Sequence, residues 1–404
     1  MEFLKIIGLG LAQKYLADIL PNFRTIKLPL METINYVLAK DIISPEDMPG
    51  FNRSTVDGYA VRASDTFGSS ESLPGILFFS EEIMIGKKPC LTLQPGQCAW
   101  IPTGGMLPDG ADAVIMVEHT EKMGDDTILA YRPVSLGENV MLQGEDVKKE
   151  EALFLRGKKI RPQDIGLLAS LGIHEVEVYE KLKIGIISSG DEVVPINQVP
   201  ELGQVRDVNT YSLAAAVTLC NCYPLIYPIV EDEYVALKHA LSKVLEENDL
   251  VLISGGSSIG TMDLTLKALM SLDDSEIMFH GIAVRPGKPT LLANVASKPV
   301  LGLPGHPVSA LMVFHILCAP LLRLQEQASF YGRLTLNVAS QAGRDDFVPV
   351  RLIQDQQQGT LAEPLLGKSG LMNILAQADG YIHITSEKQG VSKGEMVLIK
   401  LFDL

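Results

Sequence analysis

Residues 182–192 read Leu-Lys-Ile-Gly-Ile-Ile-Ser-Ser-Gly-Asp-Glu, and this stretch decides the fold. Leu182–Ile187 is a mainly apolar run, as expected for a strand covered on both faces. A loop of small residues, Ser188-Ser189-Gly190, follows at once. Working outward, the same grammar repeats. A helix is expected over about 210–219, a strand over Tyr223–Val230 and a helix over Tyr234–Glu246. Leu250–Ile253 then leads into Ser254-Gly255-Gly256-Ser257-Ser258, and a helix is expected after Asp263. Val300–Leu303 runs into Pro304-Gly305-His306-Pro307 and a long helix from Val308. Strands that alternate with helices predict βαβ units and a mostly parallel, doubly covered α/β sheet.

The flanking sequence has a different texture. Leu4, Ile7, Leu11, Leu16 and Leu20 recur at near-helical spacing until Pro21, and a second helix is expected over Met31–Ala39. From Asp41 to about Asp146, short apolar runs such as Gly75–Phe79, Ala111–Val117 and Thr127–Tyr131 alternate with Gly, Pro and Asp. That is the pattern of a β-rich domain. Arg156–Leu171 returns to helix. After Ser329 come Leu334–Val338, Phe347–Ile353, Gly380–Thr385 and Glu395–Leu401, the short strands of a small C-terminal β-barrel or sandwich.

The 404 residues carry 34 Lys+Arg against 49 Asp+Glu, a net charge of −15. So acidic a chain has no general attraction for nucleic acid or anionic membrane surfaces. Five cysteines, none in C-x-x-C spacing, argue against a disulfide framework and a structural zinc site. Lys5, Lys14 and Asp18 interrupt the first apolar residues, so no secretory leader is expected. The run Ala310–Leu322 is too short to span a bilayer. The expectation is a soluble cytoplasmic protein.

Three strands of the α/β region end in small-residue loops, and ligands of open α/β sheets bind beyond those ends. Glycine lets backbone N–H groups approach an anion, and each loop feeds a helix N-terminus. A single loop of this kind is also an ordinary tight turn; three together point to a phosphate or oxyanion site. Asp191, Glu192, Asp232 and Asp263 lie close to these loops in sequence. Carboxylates facing phosphate-binding loops suit Mg²⁺, although Asp263 is equally placed to cap a helix. Arg285-Pro286-Gly287-Lys288-Pro289 is a rigid turn with two cations. No His lies in a metal-ligand pattern, and no Ser/His/Asp triad is evident.

Eight segments, in order along nearly the whole chain, resemble the molybdopterin molybdenumtransferase family, which includes the E domain of gephyrin. They are V-D-G-Y-A-V-R at 56–62, P-T-G-G-M-L-P-D-G-A-D-A-V-I at 102–115, G-E-N-V-M-L-Q-G-E-D-V at 137–147 and S-S-G-D-E at 188–192. D-V-N at 207–209, S-G-G-S-S-I-G-T-M-D at 254–263, R-P-G-K-P at 285–289 and G-L-P-G-H-P-V-S-A at 302–310 complete the set. Ser189, Ser257 and His306 stand where the family more often has Thr, Val and Asn.

The resemblance implies an elongated four-part subunit. Residues 1–46 and 147–178 would form a discontinuous linking domain, 47–146 an inserted β-rich domain, 179–327 the molybdopterin-binding α/β domain and 328–404 the C-terminal β-barrel. It implies a homodimer whose site lies between the α/β domain of one subunit and the inserted domain of the other. The implied reaction joins molybdate to adenylylated molybdopterin, releases AMP and uses Mg²⁺. The implied catalytic set is Asp57, Thr103, Asp146, Glu192, Asp232, Asp263 and Lys288, with Glu192, Asp232 and Asp263 on the metal. Ligand contacts would come from Ser189, Gly190, Gly255, Gly256, Ser257, Ser258, Arg285, Lys288, Pro304, Gly305, Pro307 and Ser309. Transient contacts with the pterin-adenylylating enzyme and with molybdoenzyme apoproteins would follow. The alternative is a non-catalytic molybdopterin carrier or scaffold.

Overall fold

Alternation of side chains along the apolar strands builds two cores on one sheet. The computed structural model describes residues 6–255, 259–324, 326–357 and 359–402, with 259–263 described for the backbone alone. The chain divides into two compact units, one taking the residues up to Lys27, Asn35–Val37 and those from Glu177 onward, the other Leu28–Ile34 and Leu38–Val176.

In the larger unit the α/β elements are β1 (Lys183–Ser189), α1 (Asn209–Leu219), β2 (Tyr223–Ile226), α2 (Tyr234–Glu247), β3 (Leu250–Gly255), α3 (Ile259–Met270), β4 (Ser275–His280), β5 (Leu291–Val295), β6 (Lys298–Leu303) and α4 (Pro307–Val313). The six strands lie in the order β2-β1-β3-β6-β5-β4. β2, β1, β3 and β6 run parallel, and β5 and β4 add an antiparallel pair at one edge. Ile184, Ile186, Leu250, Leu252 and Leu301 face α1, α4 and the helix Leu9–Ile19, which contributes Ala12 and Leu16. Ile187, Val251, Ile253 and Val300 face α2 and α3 across the opposite core. The sheet is doubly covered, as the apolar runs predict. Gly185 is required by that covering, because a Cβ there would sit 2.4 Å from Val244 Cγ1 on α2.

Several local expectations change, among them the helix expected over Arg156–Leu171, which spans only Pro162–Ser170, and the strand expected over Leu334–Val338, which is instead the end of Ser329–Leu334 and the start of Val338–Ala339. Met31–Ala39 is not a helix: a 3-10 turn spans Leu30–Thr33, and Asn35 adopts φ +64°. The helix from Val308 is interrupted by a π turn over Phe314–Cys318. The helix expected after Asp263 begins at Ile259, so Asp263 lies inside α3 rather than ahead of it.

The C-terminal strands Asp345–Asp355, Gly359–Pro364, Ser329–Leu334, Met396–Leu401 and Gly380–Ile384 pair in that order, and the last pairs back to the first. The result is a closed five-strand barrel. Its Phe347, Tyr381 and Phe402 share a buried cluster with Phe314 and Leu317.

The smaller unit holds a six-stranded sheet in the order Ala113–Met116, Gly58–Val61, Gln97–Ile101, Gly75–Glu82, Thr127–Ala130 and Thr120–Met123. Its alternation also serves two cores, Tyr59 and Val61 on one face and Ala60 on the other. Gly58 permits close pairing with the neighbouring strand, since a Cβ there would lie 2.0 Å from the Ile115 carbonyl oxygen.

Candidate active site

Sheet register brings the three loops together. Ser189 pairs with Gly255 across β1 and β3, and Ser254 pairs with Leu303 across β3 and β6. The three chain segments therefore leave the sheet side by side. The strand order places β1 and β3 at the switch point where chains diverge and ligands of such sheets bind. Gly255 meets Ser189 closely: a Cβ would lie 1.9 Å from Ser189 Oγ and 2.6 Å from its carbonyl oxygen.

The turn after β1 gathers several of the acidic candidates. Gly190, at φ +146°, donates its N–H to Val230 O at 3.2 Å. Asp191 Oδ1 accepts the Asp232 N–H at 3.1 Å, and the Ser189 side chain hydrogen-bonds the Asp232 carboxylate. Burial, then the charges of Asp191 and Glu192, push the Asp232 carboxyl above its usual range, against the opposing Ser189 bond. Like-charged carboxylates are thus crowded at one strand end. A cleft of about 800 Å³ opens beside them, lined in part by Gly190, Asp191, Thr210, Tyr211 and Tyr227.

Beneath the loops lies a buried polar cluster. The Ser188 hydroxyl is 2.9 Å from Asp207 Oδ1, 2.9 Å from Thr210 Oγ1 and 3.1 Å from Ser254 Oγ. Two residues beyond Asp207, Asn209 Nδ2 donates to Gly305 O at 3.0 Å. Pro304 is buried, Pro307 opens α4, and Ser309 is buried in its first turn. His306 precedes the helix, with Nδ1 3.0 Å from Ser369 Oγ.

The cationic turn is braced from behind. Lys288 is exposed, while its carbonyl accepts N–H bonds from Ile282 and Thr290. Gly287, at φ +112°, sits where a Cβ would come within 2.2 Å of Val313 Cγ2. Arg285 is 3.7 Å from the buried Asp346, which also binds Arg344 at 2.8 Å. Arg285 is therefore engaged by a carboxylate, whereas no ion pair holds Lys288 among the described residues.

In the smaller unit, Asp57 Oδ1 accepts both the Thr103 N–H at 2.7 Å and its hydroxyl at 2.9 Å. These two bonds hold the Asp57 carboxyl below its usual range. Paired N–H bonds between Ser54 and the Gly104–Gly105 turn fix the loop behind them. Asp146 is exposed on a separate turn, with its N–H on Met48 O at 3.1 Å. That turn is shaped by Asp47, which accepts Lys149 N–H and Gln143 Nε2 at 2.8 Å each, and by Asn52, which accepts the Gln143 N–H at 2.8 Å.

Comparison with known proteins gives one answer over the length of the chain. Residues 9–172 match the MoeA N-terminal region (domains I and II), 185–324 a probable molybdopterin binding domain, and 331–402 the MoeA C-terminal region (domain IV). A molybdopterin molybdenumtransferase of Haemophilus influenzae is 34% identical, covering 93% of this chain and 93% of that protein. A putative molybdopterin biosynthesis protein of Methanocaldococcus jannaschii is 35% identical over 94% and 93%. The chain belongs to the molybdopterin molybdenumtransferase family. A crystal structure of the molybdopterin biosynthesis MoeA protein from Pyrococcus horikosii superimposes with a TM-score of 0.85 at 35% identity, covering 99% of this chain and 100% of that one.

Within this molybdenumtransferase-family chain, the larger unit brings Ser189, Gly190, Glu192 and Asp232 to one turn and aligns that turn with Gly255. The smaller unit joins Asp57 to Thr103. Gly256, Ser257 and Ser258 lie outside the described residues, as does the Asp263 side chain. Among the described residues, no group of three His, Cys, Asp or Glu side chains forms a metal cage, and no helix is long and apolar enough to cross a membrane. Sequence reasoning missed Asp47, Asp207 and Asn209 as site-shaping residues. Asp207 and Asn209 stand in the quoted D-V-N segment, but their partners come from distant strands.

Proposed function

We propose that this chain is a molybdopterin molybdenumtransferase, inserting molybdate into adenylylated molybdopterin with release of AMP to form molybdenum cofactor. Family membership along the chain supports the reaction. The side-by-side exit of the β1, β3 and β6 loops is the observation that carries the site assignment.

Phosphoanhydride cleavage needs positioning and charge stabilisation more than covalent chemistry. Backbone N–H groups of the Gly255 and Gly305 loops would hold phosphate oxygens, with Pro304, Pro307 and Ser309 setting the wall. Lys288 would hold the molybdate oxyanion, with Ser189 and Arg285 at its border. Asp57, Thr103 and Asp146 would orient the pterin, reaching the loops of a partner subunit in a homodimer. The crowded carboxylates of the β1 turn fit a divalent cation: Mg²⁺ takes one or two protein carboxylates and completes its shell with phosphate oxygens. Glu192, Asp232 and Asp263 would hold it, and when bound it would neutralise charge developing on the pyrophosphate. The four-part division, with boundaries near 46, 146, 178 and 327, and a cytoplasmic setting with apoenzyme recipients belong to the same reading.

The test is AMP release from adenylylated molybdopterin, with and without molybdate, across a Mg²⁺ titration. Molybdate-dependent release, with a product that reconstitutes a molybdenum-free apoenzyme, is the expected result. Tight binding without AMP release replaces the transferase with a carrier.

A further inference from the structure

We propose that Asp207 and Asn209 are positioning residues, forming a clamp beneath the candidate site that fixes the spacing of its three strand-end loops. The reaction it serves rests on the transferase reading; the clamp is read from contacts within one unit.

Asp207 Oδ1 accepts the Ser188 hydroxyl at 2.9 Å and the Thr210 N–H at 3.1 Å. The one hydroxyl hydrogen of Ser188 is then committed, so its oxygen is left to accept from Thr210 and Ser254. One carboxylate thereby orders hydroxyls on β1, β3 and α1. Asp207, at 6%, is the most exposed of these four residues. Among the described residues no cation pairs with Asp207, whose partners are a hydroxyl and a backbone N–H.

A cluster that merely filled volume would not need hydrogen-bonding groups, because apolar side chains do so without burying polar atoms. Position gives this one its use. Ser188 and Ser254 immediately precede Ser189 and Gly255, the pair whose close approach excludes a Cβ. A shift at the hydroxyls passes directly into both loops. Asn209, on the same first turn of α1, carries the linkage to the third loop through Gly305 O. Its Oδ1 is shut off from solvent and has no partner among the described residues, so the amide is oriented by the Gly305 bond. The D-V-N segment thus connects the roots of all three loops.

The test uses the full chain carrying Asp207→Ala, Asp207→Asn or Asn209→Ala. Each alanine variant is expected to lower kcat for molybdate-dependent AMP release by about 10–100-fold with KM within about threefold, the signature of misplaced groups. Asp207→Asn keeps an Oδ1 acceptor for both bonds and is expected to stay within about threefold of the unaltered chain. A loss in Asp207→Asn as deep as in Asp207→Ala would mean that the charge itself is used, and would overturn the clamp.

Amide hydrogen exchange reads the clamp without turnover. Asp207→Ala is expected to raise exchange at Gly190 by about tenfold, and Asn209→Ala to do so at Val308, with the β1 and β3 interiors unchanged. Unchanged loops, or a rise spread over the whole sheet, overturn the proposal. If the unaltered chain released no AMP while these loop changes appeared, the transferase reading would fall and the clamp would stand.

Discussion

The two candidate clusters, one in each unit, are held by different physics. In the α/β domain, parallel register positions the residues: Ser189 faces Gly255 because β1 and β3 pair along six residues. In the smaller unit, Asp57 and Thr103 meet through one carboxylate oxygen and two donors from a single residue. A site built by register tolerates little change in backbone spacing. A site built by side-chain bonds should lose function stepwise as each bond is removed.

The most severe test of that contrast is Gly255→Ala. A Cβ 2.6 Å from the Ser189 carbonyl oxygen cannot be accommodated without parting the two strands. AMP release should fall by more than about 100-fold, and stability by about 1–3 kcal/mol, in steady-state and denaturant measurements. Retained activity would show that register does not set the site. In the smaller unit, Asp57→Ala should lower kcat by about 30-fold, and Thr103→Val, which keeps the N–H bond, by about fivefold. A Thr103→Val loss equal to that of Asp57→Ala would break the stepwise picture.

The larger unit also carries an acid sensitivity. Burial, and secondarily Arg323, hold buried His315 at a pKa of about 3, well below the usual 6.5. The unfolded chain therefore binds this proton more readily. The resulting stability is fully present above pH 6.5 and is lost as pH falls towards 3. At pH 5 the loss should be about 2 kcal/mol, seen as a lower denaturation midpoint that His315→Met makes less pH-dependent. An unchanged slope in that variant would rule out the assignment to His315. The smallest effect is expected at Asp47. Asp47→Ala removes two bonds shaping the turn of Asp146, and kcat should fall by about threefold with little change in Tm. No change would detach that turn from the candidate cluster of the smaller unit.

Legibility followed the same division. The β1, β3 and β6 runs and their loops could be read because doubly covered strands are apolar throughout and end abruptly in small residues. Strands β4 and β5 are harder to read: Ser275–His280 mixes polar with apolar residues at the sheet edge, and the apolar Leu291–Val295 is joined to β6 by a two-residue turn with no helix between them. The helix expected over Met31–Ala39 failed because its apolar spacing serves a 3-10 turn followed by a left-handed Asn35. Asp57 and Thr103 were legible as residues but not as a bonded pair, since 46 positions separate them. Asp207 was hidden for the same reason: an acidic residue before a helix reads as a cap, and its Ser188 partner comes from another strand.

The barrel and the six-stranded sheet of the smaller unit finally differ at their edges. The five barrel strands close on one another, and the further pairing of Val284–Arg285 along Asp345–Asp346 covers the start of the longest of them. The sheet of the smaller unit has edge strands Ala113–Met116 and Thr120–Met123, and the second carries the exposed Glu121 and Lys122. Charged side chains at such a rim discourage recruitment of further strands.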